Sequence, residues 1–244
     1  GGAQGLGAGM AEALAAAGAS VAIGDVNSDG GRQTVETLRA QGAKAEFVAL
    51  DVTDDAAWES AVASTVESLG GLDIVVNNAG IEVTNLLVDL DAGEASKMLD
   101  VNVLGTALGI KHAFRAMRPG GIAGKGGAVV NIASVAATIA FPGISVYSAT
   151  KAAIRSFGRT WAAELAGSGI RVNTVVPGPV ETPGLVGLAP GNEQDLLDSE
   201  AAKVPLGRVG RPEEIAAAVL FLASNQSSFM TGAEVFVDGG SEQV

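Results

Sequence analysis

The sequence predicts an α/β fold built on a parallel, doubly wound sheet. Three observations predict it. Apolar runs of strand length alternate with helix-length segments throughout the 244 residues. The strand candidates, such as 72–77 (LDIVVN) and 127–133 (GAVVNIA), are continuous apolar runs, as a sheet covered on both faces requires. The 34 glycines gather at turns and follow no fixed repeat.

Residues 5–17 (GLGAGMAEALAAA) read as an Ala-rich helix closed by Gly18, and 20–24 (SVAIG) as a short buried strand. An amphipathic helix is predicted over 30–41 and a strand over 45–50. Residues 54–69 form a helix with Thr53 or Asp54 as cap, and 72–77 the next strand. A long helix over 92–117 stops at Pro119-Gly120. The strand 127–133, the helix 146–167 and the strand 170–176 follow. Pro212 before Glu213 and Glu214 marks a helix start, since proline suits the first turn and acids complement the dipole. The last strand is 233–237 (AEVFV). No domain boundary breaks the pattern, so residues 1–244 are expected to form one domain. The least regular stretch, 178–205, is rich in proline, glycine and acids. A loop this long is usually functional, and 183–205 is its substrate-loop candidate.

Composition narrows the function. At 48% hydrophobic and 17% charged, the chain is globular rather than disordered. A net charge of −12 without any Lys/Arg run argues against nucleic acid and anionic membrane surfaces. The absence of cysteine removes disulfides, thiolate metal sites and cysteine nucleophiles. His112 is the one histidine, so no zinc site is expected and a packing or surface role is. Trp58 and Trp161 are assigned to core or interface. No stretch approaches the roughly 20 apolar residues of a membrane span, and no signal peptide is visible. Nothing requires an oxidising compartment, and a cytoplasmic protein is expected.

Gly1, Gly5 and Gly7 precede a helix. Glycines let a backbone approach a pyrophosphate closely, and the helix N-terminus offers free N–H groups. Alone they also fit an ordinary turn. Asp25, about 20 residues on at the end of the next strand, supports the cofactor alternative. A carboxylate there accepts hydrogen bonds from ribose hydroxyls and repels a 2′-phosphate. Neither Gln4, Gly24, Val26, Asn27 nor Ser28 is basic, so the pattern favours NAD over NADP.

Tyr147, the sole tyrosine, lies four residues before Lys151, on one face of a predicted helix. A nearby ammonium would stabilise the phenolate and make it a usable base. Spacing alone also fits an exposed helical pair. Ser134 ends the strand 127–133, where α/β sheets place their sites, though a serine there also serves as a turn or cap.

Together, Ser134, Tyr147 and Lys151 resemble the Ser/Tyr-x-x-x-Lys signature of the classical short-chain dehydrogenase/reductase family. Gly1-Gly2-Ala3-Gln4-Gly5-Leu6-Gly7 is similar to its cofactor loop, and Asn77-Asn78-Ala79-Gly80 to its NNAG motif. Asn102, Pro177-Gly178 and Asp238-Gly239-Gly240 match further segments in register, to about residue 240. The resemblance implies a Rossmann fold and hydride transfer between NAD and an alcohol or ketone. It implies Tyr147 as general acid/base, tuned by Lys151, which also holds the nicotinamide ribose. Ser134 would orient the substrate oxygen, and Asn102 would hold a proton-relay water. It implies Asp51 and Val52 beside the adenine, and Asn78, with Ala79 and Gly80, on the adenosine-ribose side. Pro177, Gly178, Val180 and Thr182 match the carboxamide-binding segment. A homotetramer packed through helices 92–117 and 146–167 is also implied.

The family carries a strand and a threonine before its first glycine, which do not precede Gly1 here. About 10 further N-terminal residues are expected in the natural chain. Val135, Ala136, Phe141, Val146 and the 183–205 loop should line the pocket, with Glu82 either in it or a solvated loop charge. With no arginine beside Ser134 and Tyr147, a neutral secondary alcohol or ketone, cyclic or aromatic, is expected. Two alternatives remain: a 3-oxoacyl-thioester reductase, which generally uses NADP, and a non-catalytic NAD-binding sensor. Epimerases and dehydratases among the extended relatives keep Tyr-x-x-x-Lys but add a larger C-terminal domain.

Overall fold

The computed structural model describes residues 1–244. The first part of the chain forms α1 (Gly5–Ala16), β1 (Val21–Asp25), α2 (Ser28–Ala40), β2 (Ala45–Ala49), α3 (Asp55–Leu69) and β3 (Ile74–Asn77). The second forms α4 (Ala92–Met98), α5 (Gly105–Met117), β4 (Gly127–Ile132), α6 (Ser145–Leu165) and β5 (Ile170–Pro177). It continues through α7 (Pro183–Val186), α8 (Glu193–Ala201), α9 (Pro212–Ala223) and β6 (Glu234–Val237).

Every strand pair is parallel. β1 pairs with β2, and β3, β4, β5 and β6 lie in that order, so the hydrogen bonds define two groups rather than one. β1 and β3, the end strands of the two groups, both line a cleft of about 680 Å3. Val21, Ile23, Leu50, Trp58 and Val75 give it apolar walls, and Gly1, Gly7 and Asn78 stand among its lining residues. The expectation of a further strand before Gly1 concerns this cleft.

The double winding follows from the pleat. Val130 and Ile132 of β4 pack with Met10 of α1 and with Ile215, Val219 and Leu222 of α9. Val129 points to the opposite face, against Ile110, Ala113 and Met117 of α5 and Ala162 and Leu165 of α6. Successive side chains thus serve opposite layers, which is why these strands read as unbroken apolar runs.

Local signals set the helix ends. Asn27 Oδ1 accepts from the Gly30 amide at the start of α2. Asp54, rather than Thr53, caps α3 by accepting from the amides of Ala56 and Ala57. Pro212 opens α9, and the Glu214 side chain accepts from the Arg211 amide at 2.8 Å. His112 is buried, lies parallel to Trp58, and bonds Asp55 at 2.8 Å, so it has the expected packing role.

Two expectations need correction. The helix over 92–117 is interrupted by a π-helical stretch, Leu99–Leu104, between α4 and α5. A π turn inserts an extra residue and re-aims side chains, and apolar periodicity does not register it. The stretch 178–205 is not wholly irregular, because it contains α7 and α8. Thr182 caps α7 ahead of Pro183, and Glu193 and Asp195 occupy the first turn of α8.

Gly109 lets α5 approach the sheet. A Cβ there would lie 2.2 Å from Asn77 Oδ1 and 3.0 Å from Trp58. Asn77 donates to the buried Asn131 at 2.9 Å, so the intrusion would break that bond. Alanine favours helix by about 1 kcal/mol over glycine, but a displaced buried amide costs more. Gly109→Ala is expected to lose about 1–3 kcal/mol in denaturant unfolding. A gain in stability would show that α5 moves away freely.

Candidate active site

The glycine segment, residues 1–7, lies against the end of β1. Both Gly1 and Gly2 donate from nitrogen to the Gly24 carbonyl, at 2.7 and 3.2 Å. Asn78 Nδ2 donates to the Gly1 carbonyl at 2.7 Å, joining this segment to the end of β3. The turn is too tight for side chains. A Cβ on Gly7 would stand 1.8 Å from Gly1 O, and one on Gly1 would stand 2.8 Å from Ala79 Cα. Gly5 adopts φ +56, a conformation suited to glycine. Gln4 precedes α1 without capping it, and no acid occupies the first turn, so the first amides have no side-chain acceptor. Leu6 packs against the core beneath.

Asp25 faces this loop. Its Oδ2 accepts from the Ala3 amide at 3.0 Å and its Oδ1 from the Asn27 amide at 2.8 Å. Burial works against its charge, and the amides of Asn27 and Ala3 favour it. Asp51 and Val52 follow the adjoining strand β2. Asp51 Oδ1 accepts from the Thr53 hydroxyl at 2.7 Å, and the Val52 carbonyl accepts from Trp58 at 3.0 Å. Across the loop, Thr182 Cβ and Pro183 Cδ each lie 3.7 Å from the Cβ position of Gly5. Residues far apart in sequence therefore meet around one end of α1. Gly178 donates to Val237 O at 3.1 Å after Pro177, and Val180 pairs with Gly210.

The second cluster stands beyond the ends of β3 and β4. Ser134 follows β4, and its Oγ accepts from the Ala136 amide at 3.2 Å. Lys151, buried on α6, donates from Nζ to the Ile132 carbonyl at 3.1 Å and stands 5.5 Å from the centre of the Tyr147 ring. Asn102, fully buried in the π stretch, accepts from the Ile81 amide at 2.8 Å and donates to the Ile81 carbonyl at 2.9 Å. It also donates to Thr150 Oγ1 at 3.0 Å, and Thr150 donates to the Tyr147 carbonyl at 2.7 Å. The Cβ position of Gly80 lies 3.4 Å from both Lys151 Nζ and Asn102 Oδ1. Ser134, Tyr147, Lys151 and Asn102 are thus brought together, as their sequence pattern predicts.

The electrostatics depart from expectation. Burial raises the Tyr147 phenol above its ordinary value, Glu82 adds a like charge, and a hydrogen bond with Ser134 only partly opposes them. Burial also pushes Lys151 down to about 8, with Glu82 opposing. The anticipated lowering of the tyrosine by the lysine is absent from the protein alone. Desolvation of the phenolate outweighs an ammonium that faces the ring and bonds to a carbonyl.

Sequence reasoning missed Thr150 and the Ile132 carbonyl. A mid-helix threonine and a strand carbonyl carry no motif, and only packing shows what they hold. Phe141 packs with Val135 and Ala133 beside the cluster. No group of three or more His, Asp or Glu side chains is arranged to hold a metal, and no helix is long and apolar enough to cross a membrane.

This fold and this cluster define an oxidoreductase class with a dinucleotide cofactor, and comparison with known proteins agrees. Residues 1–242 match the family model described as Enoyl-(Acyl carrier protein) reductase. The chain is 40% identical to trans-4-hydroxycyclohexanecarboxylate dehydrogenase of Sinomonas cyclohexanicum, over 98% of this chain and 90% of that protein. It is 39% identical to 2,5-dichloro-2,5-cyclohexadiene-1,4-diol dehydrogenase LinX of Sphingobium indicum, over 98% and 93%. The crystal structure of a short-chain type dehydrogenase/reductase from Mycobacterium marinum superposes with a TM-score of 0.93 at 36% identity, over 100% and 94%. The chain belongs to the short-chain dehydrogenase/reductase family, whose cofactor is NAD or NADP.

Asn102→Ala would strand the Ile81 amide and carbonyl together. Losing paired buried groups is expected to cost about 2–4 kcal/mol, read by denaturant unfolding. A loss under about 0.5 kcal/mol would mean that water replaces the amide without penalty.

Proposed function

We propose that this protein oxidises a neutral secondary alcohol to a ketone with NAD, or runs the reverse reduction, using Tyr147 as the acid–base group. The observation that carries this is the convergence of Ser134, Tyr147 and Lys151 at the end of β4. The similar proteins named above act, by their names, on hydroxylated six-membered rings, which supports a cyclic alcohol.

The chain fits a dinucleotide. The glycine turn is a cradle that any Cβ on Gly7 would fill, and α1 points uncapped amides from its N-terminus. Gly1, Gln4, Gly5, Leu6 and Gly7 would hold the pyrophosphate, and Asp25 the adenosine ribose. Asp51 and Val52 would flank the adenine. Asn78, Ala79 and Gly80 would hold the ribose side, and Pro177, Gly178, Val180 and Thr182 the carboxamide. The chemistry supplied when it is bound is acceptance or return of a hydride at the carbinol carbon.

The chain's own residues handle the proton. Ser134 Oγ hydrogen-bonds the substrate oxygen and aligns it with Tyr147. Tyr147 Oη takes the hydroxyl proton during oxidation and returns it during reduction. Lys151 holds the nicotinamide ribose and its charge favours the phenolate. Asn102 orients a water that passes the proton outward. Leu99 and Leu104, exposed on the run that includes the π stretch, support a homotetramer packed through it. The chain contains no cysteine to require an oxidising compartment, in keeping with the cytoplasm.

The second reading is a 3-oxoacyl-thioester reductase; the family model's description, Enoyl-(Acyl carrier protein) reductase, names a different reduction but the same acyl-thioester substrate class. One assay separates them: NAD and NADP are offered in turn with cyclic secondary alcohols and with a 3-oxoacyl thioester, following nicotinamide absorbance. Turnover of alcohols with NAD is expected, and Tyr147→Phe should lose about 10²–10⁴-fold. Because the phenol is raised above its ordinary value, oxidative kcat/KM should keep climbing as pH rises through the alkaline range, without levelling off below about 10. A flat profile, or an active Tyr147→Phe, removes the tyrosine from the chemistry.

Asp25→Ser tests the cofactor choice. The wild-type preference for NAD over NADP should narrow by about tenfold or more, since a carboxylate no longer faces the 2′-phosphate. An unchanged ratio places discrimination elsewhere.

A further inference from the structure

Residues 80–85 form a strap that runs beside the Lys151–Asn102 cluster to the turn before α6. Its first part is fixed from below, where Gly80 abuts Lys151 Nζ and Asn102 grips both backbone groups of Ile81. Its last part is fixed to the turn that leads into α6. The Asn85 amide donates to Gly143 O at 2.7 Å, and Thr84 Cγ2 stands 3.0 Å from the Cβ position of Gly143. Tyr147 follows that turn by four residues. Glu82 therefore lies in a segment anchored at Gly80 and Ile81 beside Lys151 and Asn102, and at Thr84 and Asn85 beside the turn before α6.

Its side chain is the only acid that influences both catalytic groups, shifting Tyr147 and Lys151 alike. It is half-buried, yet it takes part in none of the chain's ion pairs. Burial raises its own carboxyl, Lys151 opposes this, and Glu200 reinforces it. Glu200 belongs to α8 and is itself engaged by Lys203 at 2.6 Å. Arg155, one helical turn beyond Lys151, is occupied by Glu234 and Glu242 and offers no counter-charge. The segment thus offers a half-buried acceptor, free of ion-pair partners, next to residues that abut Lys151 and Asn102.

We propose that Glu82 is a specificity-determining residue that accepts a hydrogen bond from a second hydroxyl of the substrate, so that the preferred substrates are neutral diols and carboxylate-bearing alcohols are disfavoured. This rests on the alcohol-dehydrogenase function proposed above and narrows it. A hydroxyl hydrogen bond to a carboxylate is charge-assisted, and a site that holds a half-desolvated acceptor discriminates against an analogue that leaves it unpaired. A substrate carboxylate would stand beside a like charge with no cation to compensate it.

The test compares cyclohexanol, the three positional cyclohexanediols and the matching hydroxycyclohexanecarboxylates on wild type, Glu82→Ala, Glu82→Gln and Glu82→Asp. It measures kcat/KM with NAD, and dissociation constants by calorimetry on the NAD-loaded protein. At least one diol is expected to exceed cyclohexanol by about tenfold in both measures, with every carboxylate below it. In Glu82→Ala the diol advantage should shrink to within about twofold, and Glu82→Asp should keep part of it. Glu82→Gln should raise the carboxylates about tenfold relative to the diols. A wild type with no diol advantage overturns the proposal, as does a diol advantage that survives in Glu82→Ala. The Tyr147→Phe protein separates the two levels. If it still turns over alcohols, the proton-transfer role fails, while the binding preferences continue to report on Glu82.

Discussion

Asn102 sits where three parts of the molecule must agree. Its fully buried amide closes two hydrogen bonds with Ile81 and one with Thr150. It thereby ties the segment after β3 to α6 and, through Thr150, to the backbone of Tyr147. The π stretch makes this possible by turning one residue of an otherwise regular helical run inward. A buried amide is costly unless fully paired, so the network tolerates few alternatives. The course of the strap that carries Glu82 follows from this anchorage.

The same enclosure that fixes the geometry creates an electrostatic tension. Burial disfavours the phenolate of Tyr147 and the ammonium of Lys151 at once. Glu82 acts oppositely on the two, sustaining the lysine's charge while opposing the tyrosine's. Its carboxylate partly offsets the effect of burial on Lys151, at the expense of a harder deprotonation of Tyr147. A substrate hydroxyl bonded to Glu82 would draw on its charge and ease that cost.

Much of this was legible beforehand. The parallel alternation of strands and helices, a cap at Thr53 or Asp54 and the start of α9 follow from patterns of three to five residues. The convergence of Ser134, Tyr147 and Lys151 was also readable, because their motif specifies a strand end and one helix face. The π stretch, α7 and α8 escaped, since short or widened turns leave little periodicity. The direction of the tyrosine's shift escaped for a different reason. It depends on how completely neighbours exclude water, and spacing along a helix carries no measure of that.

The sequence by itself determined the parallel architecture, the family, and the identity of the serine, tyrosine, lysine and asparagine at the site. These reside in local patterns, where residue type and spacing already dictate which face or terminus a side chain occupies. Only the tertiary structure decided that Thr182 reaches Gly5. It alone decided that burial shifts both Tyr147 and Lys151, with Glu82 contributing to each. Those outcomes depend on contacts between segments tens of residues apart, and on the desolvation that such contacts impose.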